Sequence, residues 1–542
     1  MSNLFLGLDC STQSLTGVII DFDSSKVIYR ESINFNKELP HYNTQNGIVV
    51  LDDEKIVHSY PLMWIEALEL LFDRFIKKNV QIKNIKAISG SGQQHGTVYL
   101  NKRFEPTLKN LTPDDSISNQ LVGCFSRKTS PIWMDSSTTK QCEEIRNSLG
   151  GLEATIKITG SNIFERFSGP QIRKFYQKDP HNYEKTTIIH LVSSFMASIL
   201  LGKNAPIDHG DGAGMNLMNI KTKIWDGHAL EATSQNLKEK LPSLVNSYDV
   251  IGNISPYLVK KYGFDPRTIL IAWSGDNPNS LIGVGLIDKG RVAISLGTSD
   301  TYFGYLKDLY LDLNGEGHVF GAPTGDYMSL ICYKNGSLAR EKIKEQFNLD
   351  WNNFSEILNK TPPGNYGKIM LPYFFPEIVP LVLNPKVYRF GLDDDDLEGN
   401  VRAIIESQFL SMRLHSEWIK EKPEEIHATG GASANKEILQ IAANIFNAKI
   451  RQFELTESAA LGAALRSAKS YYDSIENEKD WQEIIQNFIA IQDTILIKPE
   501  EKYITLYNDM LELYKKCENF VLKDGKDPEP FHKKFITKYF SS

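Results

Sequence analysis

Two hairpins that echo each other constrain this chain most. The first is Gly7-Leu8-Asp9-Cys10-Ser11-Thr12-Gln13, straight after Leu4-Phe5-Leu6. The second is Gly297-Thr298-Ser299-Asp300-Thr301, straight after Val292-Ala293-Ile294-Ser295-Leu296. Each is an apolar strand running into a small, hydroxyl-rich turn and then a second apolar run. A backbone that wraps a phosphate needs small residues, free N–H groups and hydroxyl donors. Two such hairpins predict two similar domains closing on one nucleotide. The 542 residues exceed what one core accommodates, which also predicts two domains.

Bulk properties narrow the partners. The net charge of -7 gives no reason to expect nucleic acid. Five cysteines, odd in number and without metal-site spacing, fit a reducing, cytoplasmic setting. No signal-peptide pattern precedes the strand at Leu4. The most apolar helix candidate, 188–201, is shorter than the ~20 residues of a membrane span, so no membrane association is expected.

The chain begins as a meander of short strands near 4–8, 16–21 and 27–32. Ile65, Leu68, Phe72 and Phe75 mark one face of a helix over about 60–78. A buried strand follows at Ile85–Ser89, running into Gly90-Ser91-Gly92-Gln93-Gln94-His95-Gly96. Strands, helix, then strand is an α/β plan. The plan restarts near Trp273, where a strand ends at Ser274-Gly275-Asp276-Asn277 and Pro278 opens a short helix. These signals divide the chain into 1–286, 287–475 and a charged helical extension, 476–542.

Several residues carry candidate chemistry, each with a plainer alternative. Asp9 beside Ser11 and Thr12 either holds Mg²⁺ through water or caps its own turn. Asp276 is the choice for general base, the dipole of the following helix favouring its ionised form; an Asp N-cap is the alternative. Gln93, Gln94 and His95 suit a polyhydroxylated ligand, or His95 is a satisfied core residue. Arg166 contacts a sugar or pairs with Glu165, the ion pair being the simpler expectation. Gly430-Gly431 lets a ring or phosphate approach, with Asn435 reaching a base or ribose, or it is a tight turn capped by Ser433. Trp351 stacks on an adenine or, the better expectation from the residue alone, covers a core edge. There is no P-loop, His-Glu-x-x-His or Gly-x-Ser-x-Gly pattern.

Taken together, the segments LGLDCSTQS, SGSGQQHG, TGSNIFERFSGPQI, DGAGMNL, SGDNP, SLGTSDT, NGSLAREKI and ATGGAS resemble the FGGY carbohydrate kinases, in the actin–hexokinase–Hsp70 ATPase class. They run in order over roughly residues 4–465. The resemblance implies two ribonuclease-H-like, actin-like ATPase domains with the active-site cleft between them. It is strongest toward members acting on D-xylulose, and implies ATP-dependent phosphorylation of that sugar to the 5-phosphate. Residue by residue, it implies Asp276 as base on the C5 hydroxyl, and Gln94, His95, Arg166, Asp276 and Asn277 around the sugar. Asp9 would hold Mg²⁺, and Thr12, Gly297, Thr298, Trp351, Gly431, Ala432 and Asn435 would contact ATP. A monomer or homodimer is expected. Cys10 and Asn162 depart from the residues many relatives carry. The competing readings are a kinase of ribulose or glycerol, a silent sugar or nucleotide sensor, and an Hsp70-like or filament-forming ATPase.

Overall fold

The computed structural model describes residues 3–453, 457–489 and 495–541. Its two large sheets share one strand pattern. In the first, Leu4–Cys10, Ser14–Asp21 and Lys26–Asn34 form an antiparallel meander. On its other side, Leu4–Cys10 pairs in parallel with Ile85–Gly92, which pairs in parallel with Ile269–Ile271. In the second, Arg291–Leu296, Asp300–Leu306 and Tyr327–Tyr333 form the meander. There Arg291–Leu296 pairs in parallel with Glu425–Thr429, and that strand with Lys449–Gln452. The echo read from the two hairpins is therefore an echo of whole sheets, the two-domain α/β architecture expected.

Strand alternation assigns the two faces of the first sheet. Leu4, Leu6 and Leu8 enter a core with Trp64, Leu68 and Phe72 of the helix Pro61–Lys77. Phe5 points the other way, into a core with Ile282, Leu461, Leu465 and Ile485. The helix Ser458–Ser474 thus covers the back of the first sheet, although in sequence it follows Lys449–Gln452 of the second. The tail also joins a core. Tyr507, Met510, Tyr514 and Cys517 of the helix Ile504–Leu522, and Phe535 of Glu529–Tyr539, pack with the second sheet and with Ile404 and Phe409.

Small residues let two helices meet beneath the site. At Gly462 a Cβ would collide with the Asn279 carbonyl, and at Gly283 with that of Ser458. The helix Asp276–Gly283 therefore lies directly on Ser458–Ser474. Gly462→Ala should force them apart. Overpacking typically costs 1–3 kcal/mol, and a backbone obstacle that cannot rotate away puts this site near ~3 kcal/mol. Urea unfolding should show that loss, together with reduced turnover, because the displaced helix starts at Asp276. A wild-type midpoint would refute the close packing.

Candidate active site

Register brings three strand ends of the first sheet level. Asp9 and Ser274 both lie opposite Ser91, on its two sides. Asp9 Oδ1 accepts the Ser91 hydroxyl at 2.7 Å. Asp276 begins its helix two residues beyond Ser274. Its Oδ1 accepts from the Asn277 backbone N–H at 2.8 Å and from Asn277 Nδ2 at 3.1 Å. Asn277 Nδ2 also donates to Gln94 Oε1 at 2.7 Å. Gln94 Nε2 is left buried without a partner, as is Gln93 Nε2. Unpaired buried donors are rare in native proteins, so two at adjacent strand-end residues mark a place where a ligand's acceptors fit.

The carboxylates here are poised rather than strongly acidic. Burial pushes Asp276 up to about 6, against the pull of backbone N–H groups of Asn277 and Gln94 and its own. The helix dipole, expected to favour ionisation, is outweighed by desolvation. Burial likewise pushes Asp9 up to about 7; the Ser91 bond opposes this and the Asp276 charge adds to it.

His95 takes a left-handed backbone, φ 71°, unusual for a residue with a Cβ and typical of functional sites. Its Nδ1 lies 2.8 Å from the Gly214 carbonyl and so carries the proton. Its ring stacks on Phe167, centroids 4.2 Å apart. Burial, with Arg166 nearby, lowers it to about 3. A neutral ring with Nδ1–H donated presents Nε2 as an acceptor for a hydroxyl. The expected Arg166–Glu165 ion pair does not form. Thr139 takes the Glu165 carboxylate, while Arg166 lies over Phe164 and Phe167 and donates to His318 Nε2 at 3.2 Å.

Gly297, Thr298, Trp351, Gly431, Ala432 and Asn435 all line one cavity of about 830 Å³ in the second unit, within the range of small-molecule sites. Trp351, a core-edge residue on its own evidence and an ATP contact by the resemblance, is 44% exposed there. Gly430 needs its left-handed φ of 87°, and a Cβ would strike Leu296; Gly431 opens onto free space. Ser433 is not the helix cap. It bonds Gly430 within a short 3₁₀ turn, and Asn435 caps Lys436–Phe446 through the Ile438 N–H at 3.0 Å. Asn435 Nδ2 is bonded to Ser355, so its amide shapes the cavity wall.

Thr12 lies in the first unit. Its hydroxyl donates to Gln93 at 3.3 Å and accepts from Trp133 at 2.9 Å. Sequence reasoning missed Trp133, His318 and Arg340. Arg340 lay inside the quoted NGSLAREKI, where an arginine on an apolar helix face was the available signal. His318 had none, because its partner Arg166 is 152 residues away.

Two sheets of one topology thus carry strand-end carboxylates on one and a glycine-lined cavity on the other, an arrangement suited to phosphoryl transfer. Residues 4–283 match the N-terminal domain, and residues 292–471 the C-terminal domain, of the FGGY family of carbohydrate kinases. The chain belongs to that family and is a sugar kinase. It is 39% identical over 534 residues to a xylulose kinase of Rattus norvegicus, covering 96% of this chain and 98% of the rat protein. It is 44% identical over 492 residues to xylulose kinase 2 of Arabidopsis thaliana, covering 86% and 87%. A crystal structure of a xyloylose kinase from Brucella ovis shares the fold, with a TM-score of 0.79 at 19% identity over 96% of this chain and 99% of that one. No described helix is long and apolar enough to cross a membrane.

Proposed function

We propose that this chain transfers the γ-phosphoryl group of ATP to the terminal hydroxyl of D-xylulose. The observation that carries this reading is the Asp276–Asn277–Gln94 cluster, with buried, unpartnered amide donors beside a carboxylate raised to about 6. Xylulose kinases at 39–44% identity over most of the chain supply the sugar's identity. Gln94, His95, Arg166 and Asn277 bind the ketopentose hydroxyls and carbonyl. Asp276 takes the proton of O5 as that oxygen bonds to the γ-phosphorus and the bond to the bridging oxygen of ADP breaks. Gly297, Thr298, Trp351, Gly431, Ala432 and Asn435 hold the nucleotide, with Thr12 on the facing side.

Asp9 fits Mg²⁺. One of its oxygens is taken by Ser91, leaving the other available, and no cluster of three or more metal-binding side chains stands among the described residues. Such a site suits an ion held mostly by water and phosphate oxygens through one carboxylate. Bound there, the ion would neutralise phosphate charge. A cytoplasmic location belongs to the same reading, supported by five unpaired cysteines.

ADP release with D-xylulose, compared with L-xylulose, D-ribulose and glycerol, tests the reading; equal or higher kcat/KM for another acceptor overturns the sugar assignment. Two substitutions separate the subsites. Base–aromatic stacking contributes about 1–3 kcal/mol, so Trp351→Ala should raise the ATP KM about tenfold and leave the sugar KM unchanged. His95→Ala should do the reverse. Parallel changes in both constants would show that neither residue is specific to its subsite.

A further inference from the structure

The turn 312–317 is tightly built. Asp312, 2% exposed, accepts from the backbone N–H groups of Asn314, Glu316 and Gly317 at 3.0, 2.9 and 2.7 Å. Gly317 lies against the Trp418 indole with no room for a Cβ. The next residue, His318, opens the strand His318–Gly321 and meets Arg166. A guanidinium only donates, so His318 Nε2 accepts and its orientation sets where Arg166 points.

The same turn is held from behind. Glu316 Oε2 is 2.8 Å from His415 Nδ1, and Glu518 Oε2 is 3.1 Å from His415 Nε2. Ionised carboxylates only accept, so both ring nitrogens donate and His415 is an imidazolium. Burial opposes that charge, but hydrogen bonds to both glutamates outweigh it and push His415 up to about 10. Glu518, 2% exposed, also accepts the Tyr373 hydroxyl at 3.3 Å and belongs to the helix Ile504–Leu522. That helix lies beyond residue 471, where the family match ends.

We propose that the Glu316–His415–Glu518 triad is a positioning device for the sugar pocket: it ties the 312–317 turn to the C-terminal helix and so holds His318 where it orients Arg166. This gives the C-terminal helix a part in sugar affinity although it touches no substrate. The proposal rests on the reading of Arg166 as a sugar ligand.

The test measures D-xylulose and ATP KM values on the full chain. His415→Leu strands the buried Glu518 carboxylate and frees Glu316, and risks misfolding. Glu316→Ala, at a side chain 16% exposed, is the milder variant and decides alone if the first fails to fold. Each should raise the sugar KM at least fivefold and leave the ATP KM within twofold. In an Arg166→Ala background, Glu316→Ala should add nothing further. An unchanged sugar KM with a lowered melting temperature, equal rises in both KM values, or additivity with Arg166→Ala would overturn the proposal. Arg166→Ala that itself spares the sugar KM would instead overturn the assignment of Arg166, and the positioning role with it.

Discussion

Asp276→Ala should lower kcat by two to four orders of magnitude, the usual contribution of a positioned general base, with the sugar KM within a few-fold of wild type. Sugar affinity should survive because the proposed sugar ligands Gln94, His95 and Arg166 remain. The pH profile should agree. As the proposed base, Asp276 acts unprotonated, and burial raises it to about 6, so kcat/KM for the sugar should fall as pH drops through that value. Asp9, raised to about 7 by burial with a smaller contribution from the Asp276 charge, titrates close by, so the acid limb between pH 6 and 7 carries both groups. A rate flat from pH 5 to 8, or a persistent kcat in the alanine variant, would remove Asp276 from the base role.

The raised value also carries a stability signature. The folded carboxyl titrates near 6, against 3.8 for an unperturbed Asp. Between those values the native chain binds more protons than the unfolded one, so stability falls as pH rises and the penalty is complete above pH 6. Asp276→Asn should therefore be inactive yet more stable than wild type at pH 7.5. The gain should be about 1 kcal/mol, the ~1.4 kcal/mol per pKa unit being discounted for solvent reaching the carboxylate. Equal stability at pH 7.5 would mean that the site does not strain the fold.

Arg340→Ala should be the most destabilising single change near the cavity proposed to hold ATP. Arg340 and Asp300 are each about 1% exposed and paired at 2.8 and 3.0 Å. Arg340 also donates to Gln408 at 2.8 Å and reaches the Gly297 carbonyl at 3.5 Å. Removing it leaves a buried carboxylate without its cation, at a cost of about 3–5 kcal/mol, and loosens the 297–299 turn. Urea unfolding should show the loss, and the ATP KM should rise. Asp300→Asn with Arg340→Met should recover much of the stability, since no charge is stranded, while ATP binding stays weak. A double variant as unstable as Arg340→Ala would mean that packing, rather than the stranded charge, is responsible.

The parts of this molecule legible from sequence are those whose physics is local. The helix over about 60–78 showed in apolar periodicity, and the helix at Asp276 in the placement of Pro278. The glycine- and hydroxyl-rich turns showed because a phosphate-wrapping backbone tolerates little else. Other local expectations failed where distant groups outweigh them. Ser433 looked like a cap, but a 3₁₀ turn intervenes and Asn435 takes the role. Glu165 looked like the partner of Arg166, but the arginine bonds His318, far away in the sequence.

From its own residues and the resemblance they carry, the sequence determined the repeated hairpin plan, the α/β class, the kinase family and the candidate carboxylates. Each is written in short windows of residue type and spacing. Only tertiary structure decided that the helix 458–474 backs the first sheet, that the tail completes the second core, and that burial raises both Asp9 and Asp276. Those facts depend on burial and on contacts between residues far apart in the chain. Desolvation and long-range pairing have no signature in a local window.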